Sequence, residues 1–201
     1  MRIAILDRIL LLVMCLAAGY QIITGVEGLA PVPMIVYTVG FGVLLVAGLL
    51  LIILGFEALD SPVVIVVSTV IPLSLSLGLV WEHCSACRTP YLVFVIVGFL
   101  TVLATRLLPL RNRLPVLVLA VVHGIAGLTI FVLPVLLSAT GRARPGFGLV
   151  GVGGALIGVG GLLLALLKAG KPLVSRAIIL KILPGLLLLM TAAFVAGFAL
   201  E

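Results

Sequence analysis

The segment Trp81-Glu82-His83-Cys84-Ser85-Ala86-Cys87-Arg88 holds two of the three cysteines and one of the two histidines in the chain. Cys84 and Cys87 form a CxxC pair. Thiols at this spacing have depressed pKa values and exchange with disulfides, so the pair can act as a redox couple. Together with His83 and Glu82, the same cysteines offer up to four ligands to zinc or copper. The plainer readings are a structural disulfide or two idle thiols. A c-type haem attachment is excluded, because it needs CxxCH and Arg88 follows Cys87.

The other histidine, His123, lies about 13 Å into an apolar run that starts at Leu114, at 1.5 Å per helical residue. Ala120, Gly124 and Gly127 around it are small. They leave room for a flat ring such as haem or chlorophyll with the imidazole as axial ligand. No second intramembrane histidine could complete a bis-histidine pair. The alternative is a histidine hydrogen-bonded to a neighbouring helix, through Thr129 or a carbonyl freed by proline. Lys181 falls one to two turns into the last apolar run, where snorkelling to the interface accounts for it. With a single Trp in the chain, a retinal pocket around it is disfavoured. No cofactor can be named from these residues.

Glu27, Glu57, Asp60 and Glu82 all fall at the ends of apolar runs. Ion-coupled transporters, pumps and voltage sensors ordinarily place ionisable groups inside their spans. Intramembrane hydrolases need HExxH, a buried Asp pair or an activated serine, and none of these occurs. Ser68, Thr69, Ser74 and Ser76 beside Pro72 could line a polar seam, or they could bond back to carbonyls of their own helix.

The elements that must carry these residues follow from composition. Of 201 residues, 64% are hydrophobic and 9% charged, against about 45–50% and about 25% in soluble domains. Eighteen charges cannot cover a soluble surface of this size. A water-soluble domain, a disordered chain and a disulfide-rich miniprotein are therefore excluded. A membrane helix needs roughly 20 apolar residues, and seven runs qualify: about 9–26, 34–56, 62–81, 90–106, 114–138, 146–167 and 177–200. The runs are continuous rather than alternating, which excludes a β-barrel. Pro31 and Pro33 are assigned to the first loop. Pro62, Pro90, Pro115, Pro145 and Pro172 mark helix starts, and Pro72, Pro134 and Pro184 fall inside spans, where kinks are expected. The basic, then apolar, N-terminus resembles a signal peptide, but the run continues past Cys15 and is read as a retained first helix. The expectation is one all-α polytopic domain over residues 1–201.

Lys and Arg set the orientation. One side collects Arg2, Arg8, Arg106, Arg111, Arg113, Lys168, Lys171 and Arg176, and the other only Arg88, Arg142 and Arg144. The N-terminus is therefore expected in the cytoplasm and the C-terminus outside, with a prokaryotic cytoplasmic (inner) membrane as the setting. The net charge of +6 then serves insertion and contact with anionic lipid on the cytoplasmic face. Basic patches with interleaved aromatics are missing, so nucleic acid is not an expected partner.

A shift of 112 residues lays Gly42 on Gly154, Gly48 on Gly160 and Pro72 on Pro184. This pairs the second span with the sixth and the third with the seventh. The chain thereby resembles, in the count of its helices, the 3+1+3 parallel repeat of the SWEET sugar transporters, although no Pro-Gln pair occurs in it. Chance overlap of two Leu- and Gly-rich segments explains the matches equally well. Gly146-Phe-Gly-Leu-Val-Gly151 satisfies GxGxxG, but it lacks the preceding strand and the later acidic residue of a dinucleotide site. Gly42, Gly48, Gly154, Gly158 and Gly161 are instead assigned to helix packing, with Gly160 and Ala165 extending the small surface. The composition favours a subunit or anchoring protein of a larger membrane complex, whose partners are other membrane chains or a second copy. Two alternatives stand beside it: a small uncoupled transporter or lipid-handling protein, and an extracytoplasmic CxxC redox or metal protein. An enzyme is the less favoured class.

Overall fold

The computed structural model describes residues 3–108, 113–168 and 173–201. Arg2, Arg111, Lys171 and Pro172, and the side chains of Ala165 and Lys168, lie outside that description. The helices are α1 Ile5–Thr24, α2 Pro31–Leu54, α3 Pro62–His83, α4 Arg88–Leu107, α5 Leu114–Ala139, α6 Gly148–Lys168 and α7 Arg176–Ala199. All seven are long and apolar enough to cross a bilayer, and no strand occurs among the described residues. The chain is an all-α, multi-pass integral membrane protein.

Two boundaries differ from the sequence reading for local reasons. Pro31 and Pro33 open α2 instead of lying in the loop; an N–H in the first turn has no intrahelical acceptor, so proline loses nothing there. α1 begins ahead of Arg8, where Asp7 accepts a hydrogen bond from the Ala4 N–H at 3.1 Å. Pro72, Pro134 and Pro184 all sit within continuous helices. Around Pro72 the hydroxyls turn back on their own helix. Ser76 Oγ donates to the Pro72 carbonyl at 2.6 Å and Thr69 Oγ1 to the Ile65 carbonyl at 2.8 Å. Those bonds return the Thr69 and Ser76 hydroxyls to carbonyls of α3 itself.

The principal neighbours run α1–α2–α3–α5–α6–α7 and back to α1, while α4 packs outside on α3 and α5. Exchanging the first three helices with the last three leaves this circuit unchanged. The residues paired by the 112-residue shift do not share environments: a Cβ on Gly154 would meet α5 and one on Gly42 nothing, and Gly48 faces α1 whereas Gly160 faces α7. The centre is filled by side chains, among them Leu11, Met14, Phe41, Leu75, Ile130, Met190 and Phe194. α3 is buried without interruption from Ile71 to Val80, as expected of a central helix. Outward-facing Ile5, Ile23, Ile53 and Leu162 leave the perimeter apolar for lipid.

Glycine sets the closest approaches. A Cβ on Gly154 would lie 2.9 Å from the Ile130 carbonyl carbon and the Phe131 nitrogen, so α6 and α5 meet backbone to backbone. One on Gly48 would run into Met14 and lie 2.6 Å from Cys15 Sγ, which brings α2 onto α1. Gly42, Gly158 and Gly161 differ: a Cβ at each would meet nothing within 4 Å, because these positions face away from every neighbouring helix of this chain. Gly160, by contrast, faces Leu186 of α7.

Candidate functional site

α3 and α7 finish, and α4 and α6 begin, at the same end of the bundle, and the chain's polar chemistry collects there. α3 ends when the Cys84 N–H bonds to the Val80 carbonyl at 2.9 Å. A single 3-10 turn, Ser85–Cys87, then leads directly into α4 at Arg88. The turn is closed by the Cys87 N–H on the Cys84 carbonyl at 3.0 Å and by a Cys84–Cys87 disulfide with Cα atoms 5.3 Å apart. Ser85, Ala86 and Cys87 are exposed and Cys84 is half-buried. Arg88 fixes the corner: Nε donates to the Trp81 carbonyl at 2.6 Å, and the guanidinium stands 5.7 Å from the centroid of the Trp81 ring.

His83 turns the other way, into the bundle. Its Nε2 lies 3.3 Å from Glu201 Oε1 and 4.0 Å from Glu82 Oε2. The side chains of His83, Glu82 and Glu201 are only 15%, 25% and 20% exposed. Tyr37 of α2, packed against Gly78 and Phe198 in the same region, is buried and its hydroxyl has no hydrogen-bond partner. Two glycines allow this assembly. A Cβ on Gly78 would collide with the Tyr37 ring, and one on Gly146 would lie 2.5 Å from Leu200 Cβ, which carries the chain to Glu201. The first glycine of the GxGxxG pattern thus makes room for the segment bearing a carboxylate.

Aromatic rings continue inward from the cluster. His83 stacks at 5.2 Å on Phe147, Phe147 at 6.3 Å on Phe198, and Phe198 at 4.7 Å on Tyr37 and 6.2 Å on Phe41. Phe41 meets Phe194 edge-on at 6.4 Å. These spacings are those of edge-to-face and offset packing. The column occupies the space among α2, α3 and α7.

Of the residues singled out from sequence, Cys84 and Cys87 are bonded to each other, so His83, Cys84 and Cys87 form no ligand set here. His83 keeps company with Glu82 and with Glu201, which most of the chain separates from it. No local pattern marks Glu201 or Tyr37 as its neighbours; only the packing of α7 and α2 brings them in. His123 Nδ1 lies 3.2 Å from the Leu119 carbonyl of its own helix. The anticipated partner Thr129 instead donates to Ile125 at 2.9 Å and accepts from the Tyr91 hydroxyl at 3.1 Å. Gly124 and Gly127 face open space, so no walled slot for a flat ring surrounds His123. An apolar groove of about 270 Å³ lies between α3 and α4, lined by Val70, Leu73, Val95 and Phe99 among others, and does not include His123. Lys181 is exposed on α7.

No family model, no curated protein and no solved structure matches the chain.

Proposed function

We propose that the protein is an extracytoplasmic thiol–disulfide exchange protein of a prokaryotic cytoplasmic membrane, with Cys84 and Cys87 as its redox pair. The observation that carries this reading is a disulfide with Cys87 exposed, on a single turn at the end of the bundle that opens directly into α4. In the forward direction the thiolate of a client dithiol attacks Cys87 Sγ, the more exposed sulfur. The Cys84–Cys87 bond breaks and Cys84 leaves as a thiolate. The second client thiolate then attacks the mixed disulfide and releases Cys87. The client departs as a disulfide, and its two electrons and two protons remain on the Cys84–Cys87 dithiol. Cys87 immediately precedes α4, so the dipole at that helix start favours its thiolate.

The full chain in detergent, mixed with a short peptide dithiol, tests this reading. The expected result is stoichiometric oxidation of the peptide by the parent, no exchange by Cys87→Ser and, when the peptide is supplied in its disulfide form, a mixed disulfide at Cys87 in Cys84→Ser. A disulfide that resists the peptide until the protein unfolds would mark the bridge as structural and end the reading.

A second reading, a subunit or anchor in a larger membrane complex, is favoured by the outward positions of Gly158 and Gly161 on α6. A helix of another membrane chain could approach closely along that face. The native mass after mild extraction is expected to exceed that of the 20.9 kDa chain plus micelle, with other polypeptides present. Leucine at both positions is expected to release them. A transport role draws no support from the aromatic column, which occupies space that a pathway would use.

A further inference from the structure

We propose that Glu82, His83 and Glu201 bind one divalent metal ion of the zinc class, with the Tyr37 hydroxyl completing the site. One ligand atom from each of the three residues lies within 4.8 Å of those of the other two. Zinc–ligand bonds of about 2.0–2.2 Å put neighbouring ligand atoms of a tetrahedron roughly 3.3 Å apart. His83 Nε2 and Glu201 Oε1 already stand at 3.3 Å, and Glu82 Oε2 is 4.0 Å from the same nitrogen. Only Glu82 has to move inward.

Charge and hydrogen bonding point the same way. Two carboxylates share a largely buried pocket, and no Lys or Arg forms an ion pair with either among the described residues. Beyond the His83 contacts with the two carboxylates, Glu201 Oε2 and Tyr37 Oη are buried without a hydrogen-bond partner. Two buried polar atoms left without a partner beside a buried carboxylate pair are rare in a folded protein. Tyr37 is an independent sign, since it belongs to another helix and is only 4% exposed. Its hydroxyl nonetheless lies in the field of both carboxylates. A divalent cation neutralises the two carboxylates and uses the imidazole nitrogen as a neutral ligand. It leaves the phenol to bind the metal or to donate to a carboxylate or a metal-bound water. Two oxygen donors and one imidazole suit zinc or manganese better than copper(I), which prefers thiolates.

The site is independent of the redox pair, whose sulfurs are committed to each other. Its test is therefore separate. The full chain in detergent is stripped with a chelator and titrated with Zn2+ alone against a chromophoric competitor. One ion per chain is expected. Glu201→Gln and His83→Ala are each expected to weaken binding at least tenfold, whereas the Cys84→Ser/Cys87→Ser double variant binds as the parent does. Size-exclusion profiles confirm that each variant stays folded. If His83→Ala aggregates, Glu82→Gln supplies the same readout. No binding by the parent protein, binding that survives Glu201→Gln and His83→Ala, or binding that disappears with the cysteines would each overturn the proposal.

Discussion

A glycine in this bundle matters where a neighbouring residue stands against it, and most where that neighbour is backbone; the five glycines assigned to packing divide on that criterion. At Gly154 a methyl group would press on the backbone of Ile130 and Phe131, which cannot swing aside as a side-chain tip can. Gly154→Ala is expected to lower stability by about 1–3 kcal/mol, the usual range for overpacking. At Gly158 the methyl group enters open space. Gly158→Ala should be neutral, or stabilising by up to about 1 kcal/mol through helix propensity. Thermal unfolding in detergent, monitored by circular dichroism, separates the two. Equal midpoints for both variants would contradict the close approach of α5 and α6. Both residues belong to the same GxxxG motif, so the motif alone does not distinguish them.

Among the helices, α4 is the outlier. It lies outside the circuit, and a small satellite cluster joins it to α3 and α5 through Val102, Leu73, Val122 and Ala126. A side chain–side chain hydrogen bond, Tyr91 to Thr129, ties it to α5. Interhelical bonds of this kind in membranes average about 0.6 kcal/mol and reach about 1.7 kcal/mol. Tyr91→Phe should therefore cost less than about 2 kcal/mol, and the loss should be confined to α4. Hydrogen exchange followed by mass spectrometry is expected to show faster exchange in α4 with the other helices unchanged. Uniform acceleration would mean that α4 is part of one cooperative unit with the rest.

For the whole molecule, the orientation proposed from the uneven spread of Lys and Arg has the Cys84–Cys87 turn outside the cell and the Asp60–Arg176 contact on the cytoplasmic side. In intact cells treated with an impermeant reductant, an impermeant maleimide should label Cys84 and Cys87. Cys15, buried between α1 and α2, should stay unlabelled even after the membrane is opened. Labelling of the pair only in inverted vesicles would reverse the orientation and remove the extracytoplasmic setting from the redox reading.

The membrane class, the seven helices and their approximate limits follow from the sequence alone, because a bilayer demands long apolar runs and each run is a local property. The Cys84–Cys87 pair was legible for the same reason: three residues of separation make one turn. Pro31 and Pro33 were misplaced because proline suits a loop and a first helical turn equally well. Tertiary structure alone decided which glycines meet a neighbour, since Gly154 and Gly158 have the same local sequence signal and differ only in what faces them. It also decided the company of His83. Glu201 and Tyr37 reach it only after α7 and α2 have packed beside α3, with Gly146 and Gly78 removing the side chains that would hold them apart. In a chain this rich in leucine and glycine, side-chain periodicity carries little information about which helix meets which. Contact between residues far apart in sequence comes from shape complementarity, which becomes visible only once the whole bundle has formed.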